Sequence, residues 1–174
     1  MNLDGAGATA PNLAFIPVGA DGKRSFFSRN PAHLLGDVTG YITDDSVPAG
    51  TVGLFVPLEP TRVFDTREVE IPPGPKGYVA ADATIDVDVG GTAGVPADAA
   101  GVVLNVTGID SPLGYLTAWQ RGPTRPTAST LNFGAPIDTR ANAAMLPVGV
   151  DGQISFYTKN GSDMLADVSG YFLG

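Results

Sequence analysis

The chain contains no cysteine and a single histidine among its 174 residues. The absence of cysteine excludes disulfide bridges, thiolate zinc sites and a cysteine nucleophile. Ten basic residues stand against 18 acidic ones and form no cluster, which argues against a nucleic-acid surface. No run approaches the roughly 20 apolar residues of a membrane-spanning helix. We therefore expect no nucleic-acid partner, no membrane insertion, no cofactor and no metal.

What the chain does have is apolar residues divided by turn formers. Hydrophobic residues make up 43% of the sequence, and 23 glycines and 15 prolines lie between short apolar runs. Glycine and proline in such positions are typical of turns between many strands. The composition predicts an all-β fold with enough apolar material for a core.

Two stretches of the chain match each other without a gap. Residues 12–41 read NLAFIPVGADGKRSFFSRNPAHLLGDVTGY, and residues 142–171 read NAAMLPVGVDGQISFYTKNGSDMLADVSGY. The offset is 130 residues, and 15 of the 30 aligned positions are identical. This internal repeat predicts one shared conformation for both copies.

An Asp-Gly pair stands at the same place in each copy, as Asp21-Gly22 and Asp151-Gly152. Between two apolar runs this pair is a strong signal for a hairpin with glycine at positive φ. The stretches GDVTGYIT and ADVSGYFL that follow alternate in polarity, which indicates a further strand. We predict three strands in each copy.

The region between the copies also alternates in polarity. Val102, Leu104 and Val106 occupy every second position of one run, which is typical of a strand with one buried face. The runs VGLFVPL, TRVFDT, ATIDVDV, GYLTAWQ and STLNFG predict further strands. The fold expected is an antiparallel β-sandwich of about ten to eleven strands in one compact β-domain.

Six motifs follow one another along the chain: RVFDTR at 62–67, VPA at 95–97, VLNVT at 103–107, GYLT at 114–117, STLNF at 129–133 and DVSGYF at 167–172. In this order they resemble a largely uncharacterised repeat, about 130 residues long, found in tandem in secreted and cell-surface proteins of actinobacteria. The resemblance implies an extracellular or cell-surface location and an accessory or surface role. It brings no ligand and no catalytic residue with it.

The resemblance also divides the chain into two parts. Residues 50–174 correspond to a complete repeat, and residues 1–46 to the C-terminal third of a preceding one. Three strands with one apolar face need a partner. They either dock on the complete repeat or pair with a neighbouring molecule through sheet edges. We predict docking within the chain, through four apolar residues of the first copy: Phe15, Phe26, Leu35 and Val38.

Candidate catalytic and metal-binding residues have structural explanations. His33, the sole imidazole, aligns with Asp163 of the other copy, so a histidine base is not expected. Asp65 and Arg67 are expected to form an ion pair at the opening strand. The sequences DGK, DGQ and Asp44-Asp45 lack the ligand series of a calcium loop. Four aspartates that recur between the copies are expected in turns and structural contacts: Asp21, Asp37, Asp151 and Asp167.

One strand has a candidate binding face. Tyr115, Thr117 and Trp119 share a face if Leu116 and Ala118 point inward, and exposed flat aromatic rings suit sugar faces. The alternative is that this face is covered and Trp119 belongs to a core.

The sequence thus favours a non-enzymatic structural, adhesion or wall-associated module of an exported repeat protein. Its expected partners are neighbouring repeats, further copies associating through sheet edges, and cell-wall or other glycans. The first alternative is a lectin-like module that uses Tyr115 and Trp119. A less favoured alternative is an accessory domain of a secreted hydrolase.

Overall fold

A computed structural model describes residues 7–43, 48, 50–67 and 74–174. In these residues the chain forms eight β-strands and one short 3-10 turn at Val150–Gly152. The strands are β1 (Phe55–Asp65), β2 (Thr84–Asp88), β3 (Gly101–Ser111), β4 (Gly114–Gln120), β5 (Leu131–Phe133), β6 (Asp138–Pro147), β7 (Gln153–Thr158) and β8 (Asp163–Phe172).

The strands build two antiparallel sheets of four. The first has the order β1-β8-β3-β6 and the second the order β2-β7-β4-β5. The prediction of an all-β antiparallel fold is confirmed, and the arrangement is β-sandwich-like. We refer to strands β1–β8 and their connections as the two-sheet unit.

One hydrophobic core joins the two sheets. The first sheet contributes Leu104 and Val106, and the second contributes Ile154 and Phe156, all of them fully buried. The ring of Phe156 packs against that of Phe64, with centroids 4.9 Å apart. Along β3, buried apolar positions alternate with less buried ones, because successive side chains of a strand point to opposite faces.

The described residues form eight strands instead of the predicted ten to eleven, for two reasons. The runs VGLFVPL and TRVFDT, predicted as separate strands, contribute to the single bulged strand β1. Two prolines lie within β1, and they are tolerated because it is an edge strand. In addition, residues 12–41, all of them described, form no strand. The copy at residues 142–171 does form three strands, namely β6, β7 and β8.

The Asp-Gly turn of the C-terminal copy connects the two sheets. Gly152 has φ 75° and its N–H donates to the Gly149 carbonyl at 3.1 Å, so the predicted positive φ is confirmed. However, β6 lies in the first sheet and β7 in the second. The predicted hairpin is therefore wrong, since a tight turn can also redirect the chain from one sheet to the other.

Residues 7–43, which we call the N-terminal segment, do not join the core. Phe15, Phe26, Leu35 and Val38 are 66%, 67%, 98% and 90% exposed. The prediction that these four residues dock on the complete repeat is thus corrected. Near its start the segment touches the two-sheet unit, where Ala10 and Pro11 line a recess of about 150 Å³ beside strands β5 and β6.

Candidate functional site

The predicted binding strand is β4, at the centre of the second sheet. Leu116 and Ala118 point into the core and are buried, so Tyr115, Thr117 and Trp119 lie on the outer face. The rings of Tyr115 and Trp119 are half-buried, whereas Thr117 is only 1% exposed. The shared face follows the predicted alternation.

The register of β4 and β7 adds a third ring to this face. Thr117 pairs with Tyr157 and Trp119 pairs with Ser155. The Tyr115 and Tyr157 ring centroids are 5.8 Å apart. We call the outer surface of Tyr115, Trp119 and Tyr157 the aromatic face. The alternation of QISFYT could have placed Tyr157 on an outer face, but only the strand register brings it beside Tyr115.

The connection between β4 and β5 covers part of the aromatic face. The Trp119 Nε1–H donates to the Pro123 carbonyl at 3.2 Å, and the Thr117 hydroxyl donates to the Ala128 carbonyl at 3.0 Å. The Arg125 guanidinium lies 3.5 Å from the Tyr157 ring centroid. Thr117 therefore presents no surface to a ligand in this conformation, although it was a predicted ligand-binding residue.

Charged groups border the aromatic face at the β7 end. Asp82 accepts hydrogen bonds from the Lys159 ammonium at 2.8 Å and from the Tyr157 hydroxyl at 2.5 Å. These bonds, that of Lys159 foremost, hold the pKa of Asp82 below its usual value. The same carboxylate raises the pKa of Tyr157 and of Lys159 by hydrogen bonding. The Tyr157 hydroxyl thus stays protonated and donates its hydrogen bond to Asp82.

Beside Trp119, the polar side chains are also paired with one another. Asp86 accepts from the Arg121 guanidinium at 3.0 Å and from the Ser155 hydroxyl at 2.6 Å. Arg121 contacts Asp151 as well, at 3.0 Å. These groups form a polar border next to a half-buried indole, which is a geometry that sugar rings can use.

The opening motif forms an ion-pair cluster on the first sheet. The Asp65 carboxylate is fully buried and accepts from Arg62 at 2.7 Å and from Arg67 at 2.9 Å. Hydrogen bonding from Arg67 lowers the pKa of Asp65. Arg62 also pairs with Asp167 on β8 at 2.6 Å. The predicted ion pair of Asp65 and Arg67 is confirmed, and the Arg62–Asp167 pair of the same cluster ties β1 to β8.

The remaining sequence candidates give no convergent site. His33 is exposed on the N-terminal segment, and Asp44 and Asp45 lie outside the described residues. Among the described residues, no three carboxylate or imidazole groups converge in a way that could hold a metal ion. In the same part of the chain, no helix has the length and apolarity for a membrane crossing.

Comparison with other proteins adds no assignment. No protein-family model, curated protein or solved structure matches this chain. Two surfaces of this chain bear on its function. One is the aromatic face with its polar border, and the other is the apolar, exposed N-terminal segment.

Proposed function

We propose that this chain is a non-catalytic structural and adhesion module of an exported repeat protein, which associates with other β-sandwich units. The main support for this proposal is the apolar surface that the N-terminal segment exposes. Ten of its large apolar side chains are each 45–98% exposed. Folded proteins rarely display so much apolar surface without a binding partner, because its contact with water is unfavourable.

The polar groups of the two-sheet unit support a structural role. Asp65, Asp82 and Asp86 each pair with a basic side chain of the same unit. Asp151 and Asp167, which recur in the first copy, contact Arg121 and Arg62. Carboxylates held in this way stabilise strand connections. The extracellular location and the wall-associated role rest on the order of the six motifs, and we propose them on that basis.

Self-association of the full chain tests this proposal. We expect sedimentation velocity to show reversible association that rises with concentration, because the apolar side chains of two N-terminal segments can shield each other from water. Replacing Phe26 and Phe27 together by Ser should weaken the association at least about tenfold, which corresponds to about 1.4 kcal/mol.

The matched control removes two exposed apolar side chains from the two-sheet unit instead. Leu113 and Ile137 are 52% and 77% exposed, and the double variant Leu113→Ser/Ile137→Ser should associate as the wild type does. A chain that stays monomeric up to its solubility limit would contradict the proposal, as would equal weakening by the two double variants.

A second candidate function is carbohydrate binding at the aromatic face. It is favoured by the half-buried rings of Tyr115 and Trp119 on one face and by the Asp86–Ser155 border beside Trp119. Nothing in the described residues favours the third interpretation, an accessory domain of a secreted hydrolase.

A glycan array probed with the full chain separates the lectin hypothesis from the structural one. If a glycan binds at this face, Trp119→Ala should lower its affinity about tenfold or more, because the variant loses the stacked ring and its buried area; tenfold corresponds to about 1.4 kcal/mol. Tyr78→Ala removes an exposed ring that is not on the aromatic face and should leave the affinity unchanged. Absence of any Trp119-dependent signal would reject the lectin hypothesis.

A further inference from the structure

The three strands of the C-terminal copy occupy key positions in both sheets. Across residues 138–172, all of them described, β6, β7 and β8 pair with other strands and not with one another. Strand β8 lies between β1 and β3, and β7 lies between β2 and β4. Without them each sheet would be split. We call the places of β6, β7 and β8 against β1–β4 the acceptor site.

This arrangement explains why the matching sequence in the N-terminal segment has no strands. Its hydrogen-bonding partners would be strands like β1–β4, and in this chain residues 142–171 already fill that acceptor site. A strand whose backbone groups find no neighbouring strand stays solvated. The segment is therefore a strand-forming sequence without an acceptor.

One glycine of the segment, Gly40, is explained by an acceptor site. In the C-terminal copy, a Cβ on Gly170 would collide with the Phe55 ring and lie 2.7 Å from the Val56 carbonyl. Its counterpart Gly40 has no positive φ and, among the described residues, only the Met145 sulfur at 4.0 Å. Nothing around Gly40 requires a glycine, whereas a strand like β1 beside it would.

The apolar positions show the same relation. Phe156 and Val168 are fully buried in the core. Their counterparts Phe26 and Val38 are identical residues, yet both are exposed. Identical side chains in opposite environments indicate that the segment is suited to a core that it has not entered.

The turn of the segment is already formed. The Gly22 N–H donates to the Gly19 carbonyl at 2.9 Å, as the Gly152 N–H does to Gly149 at 3.1 Å. Their φ angles are 73° and 75°. The inter-sheet turn thus has its bound conformation before the strands find partners, and a preformed turn lowers the entropy lost on binding.

We propose that residues 12–41 are a strand donor that completes the acceptor site of another unit of this fold, one that lacks its own β6, β7 and β8. The inference rests on the proposed function, because it specifies how the module associates with other units. The donor would bind by β-strand addition, with main-chain hydrogen bonds providing affinity and Phe26 and Val38 entering the core.

Two residues of the donor do not fit the acceptor site of this unit. Arg24 aligns with Ile154, which is fully buried, and an unpaired guanidinium there would be strongly unfavourable. Pro31 aligns with Gly161, whose φ of 87° a proline ring cannot adopt. The acceptor that fits residues 12–41 therefore accommodates a charged side chain, and the donor residues that correspond to the β7–β8 turn take a different conformation there.

Thiol labelling of the full chain tests the donor, since the chain has no cysteine of its own. Val38→Cys and Val168→Cys are single reporters at aligned positions. In the otherwise wild-type chain, the Val168→Cys thiol should react at least about tenfold more slowly than the Val38→Cys thiol, because a buried thiol reacts only after local opening.

The decisive variant empties the acceptor site and matches the donor to it. Phe156→Asp and Val168→Asp should expel residues 142–171, while Arg24→Ile and Pro31→Gly remove the two mismatches. In this chain, labelling of Val38→Cys should slow at least about tenfold. Adding Phe26→Asp should restore fast labelling. Sedimentation velocity then distinguishes the two modes of insertion. Insertion within one chain gives a monomer, and insertion into a second copy gives a dimer or a larger assembly.

Fast labelling of Val38→Cys in the variant with all four substitutions would contradict the proposal that residues 12–41 are a strand donor. If the Val38→Cys thiol is protected equally in a chain that carries Phe156→Asp and Val168→Asp alone, the claim that the partner's acceptor site differs from that of this unit is wrong. The proposed function has its own test in the self-association of the wild-type chain, so it can stand if the donor fails.

Discussion

Replacing Phe156 by Ala is expected to lower the free energy of unfolding by about 3–5 kcal/mol. Phe156 is fully buried and its ring packs on Phe64, so truncation removes apolar contacts and leaves a cavity between the two sheets. The measurement is equilibrium unfolding of the full chain in urea, with a lower midpoint at an unchanged slope.

The chain provides a matched control for this substitution. Phe26 occupies the aligned position after the same serine, but it is 67% exposed. Phe26→Ala should therefore change the free energy of unfolding by less than about 0.5 kcal/mol. Similar losses for the two variants would mean that the N-terminal segment packs into a core in solution.

Replacing Asp65 by Ala is expected to lower the free energy of unfolding by about 2–4 kcal/mol at neutral pH. The substitution removes a buried carboxylate that accepts from Arg62, from the Arg67 guanidinium and, at 3.0 Å, from the Arg67 backbone N–H. Both guanidiniums would lose their shared partner, and the contact between β1 and β8 would weaken.

The same residue predicts a pH dependence. The pKa of Asp65 is lowered from 3.8 in the folded chain, chiefly by the hydrogen bond from Arg67. The unfolded chain therefore binds the proton more readily, so this contribution to stability is present above 3.8 and is lost as the pH falls through the folded pKa. Unfolding measured from neutral to acidic pH should show a smaller acid loss for Asp65→Ala than for the wild type.

Asp82→Ala is the control for the ion-pair cluster, because Asp82 pairs with Lys159 at the surface. Solvent screens that pair, so the loss of stability should be clearly smaller than for Asp65→Ala. An equal loss would show that the burial of Asp65 is not what makes its ion pairs stabilising.

Several features followed from local sequence alone. Alternation placed Leu116 and Ala118 inside and Tyr115 and Trp119 outside, because side chains of a strand point to opposite faces in turn. The Asp-Gly pairs indicated glycine at positive φ, which the absence of a Cβ permits. The pairing of Asp65 with Arg67 could be predicted because the two residues are close in sequence.

Other features depended on contacts between distant parts of the chain. Tyr157 lies beside Tyr115 only because β4 and β7 pair in one register, and Arg125 covers Tyr157 only because the β4–β5 connection folds back. The turn at Gly152 has the conformation that the sequence predicts. The Asp151-Gly152 pair nevertheless does not indicate which sheet the next strand joins.

The sequence by itself determined the all-β class, the strand faces and the turn conformations, since these follow from side-chain periodicity and backbone sterics within a few residues. Only the tertiary structure decided that residues 142–171 form strands whose apolar side chains enter the core, while the half-identical residues 12–41 form no strand and stay largely exposed. The physical reason is that a strand becomes stable when partner strands and a core surround it. One acceptor site within the chain can hold only one of two matching segments.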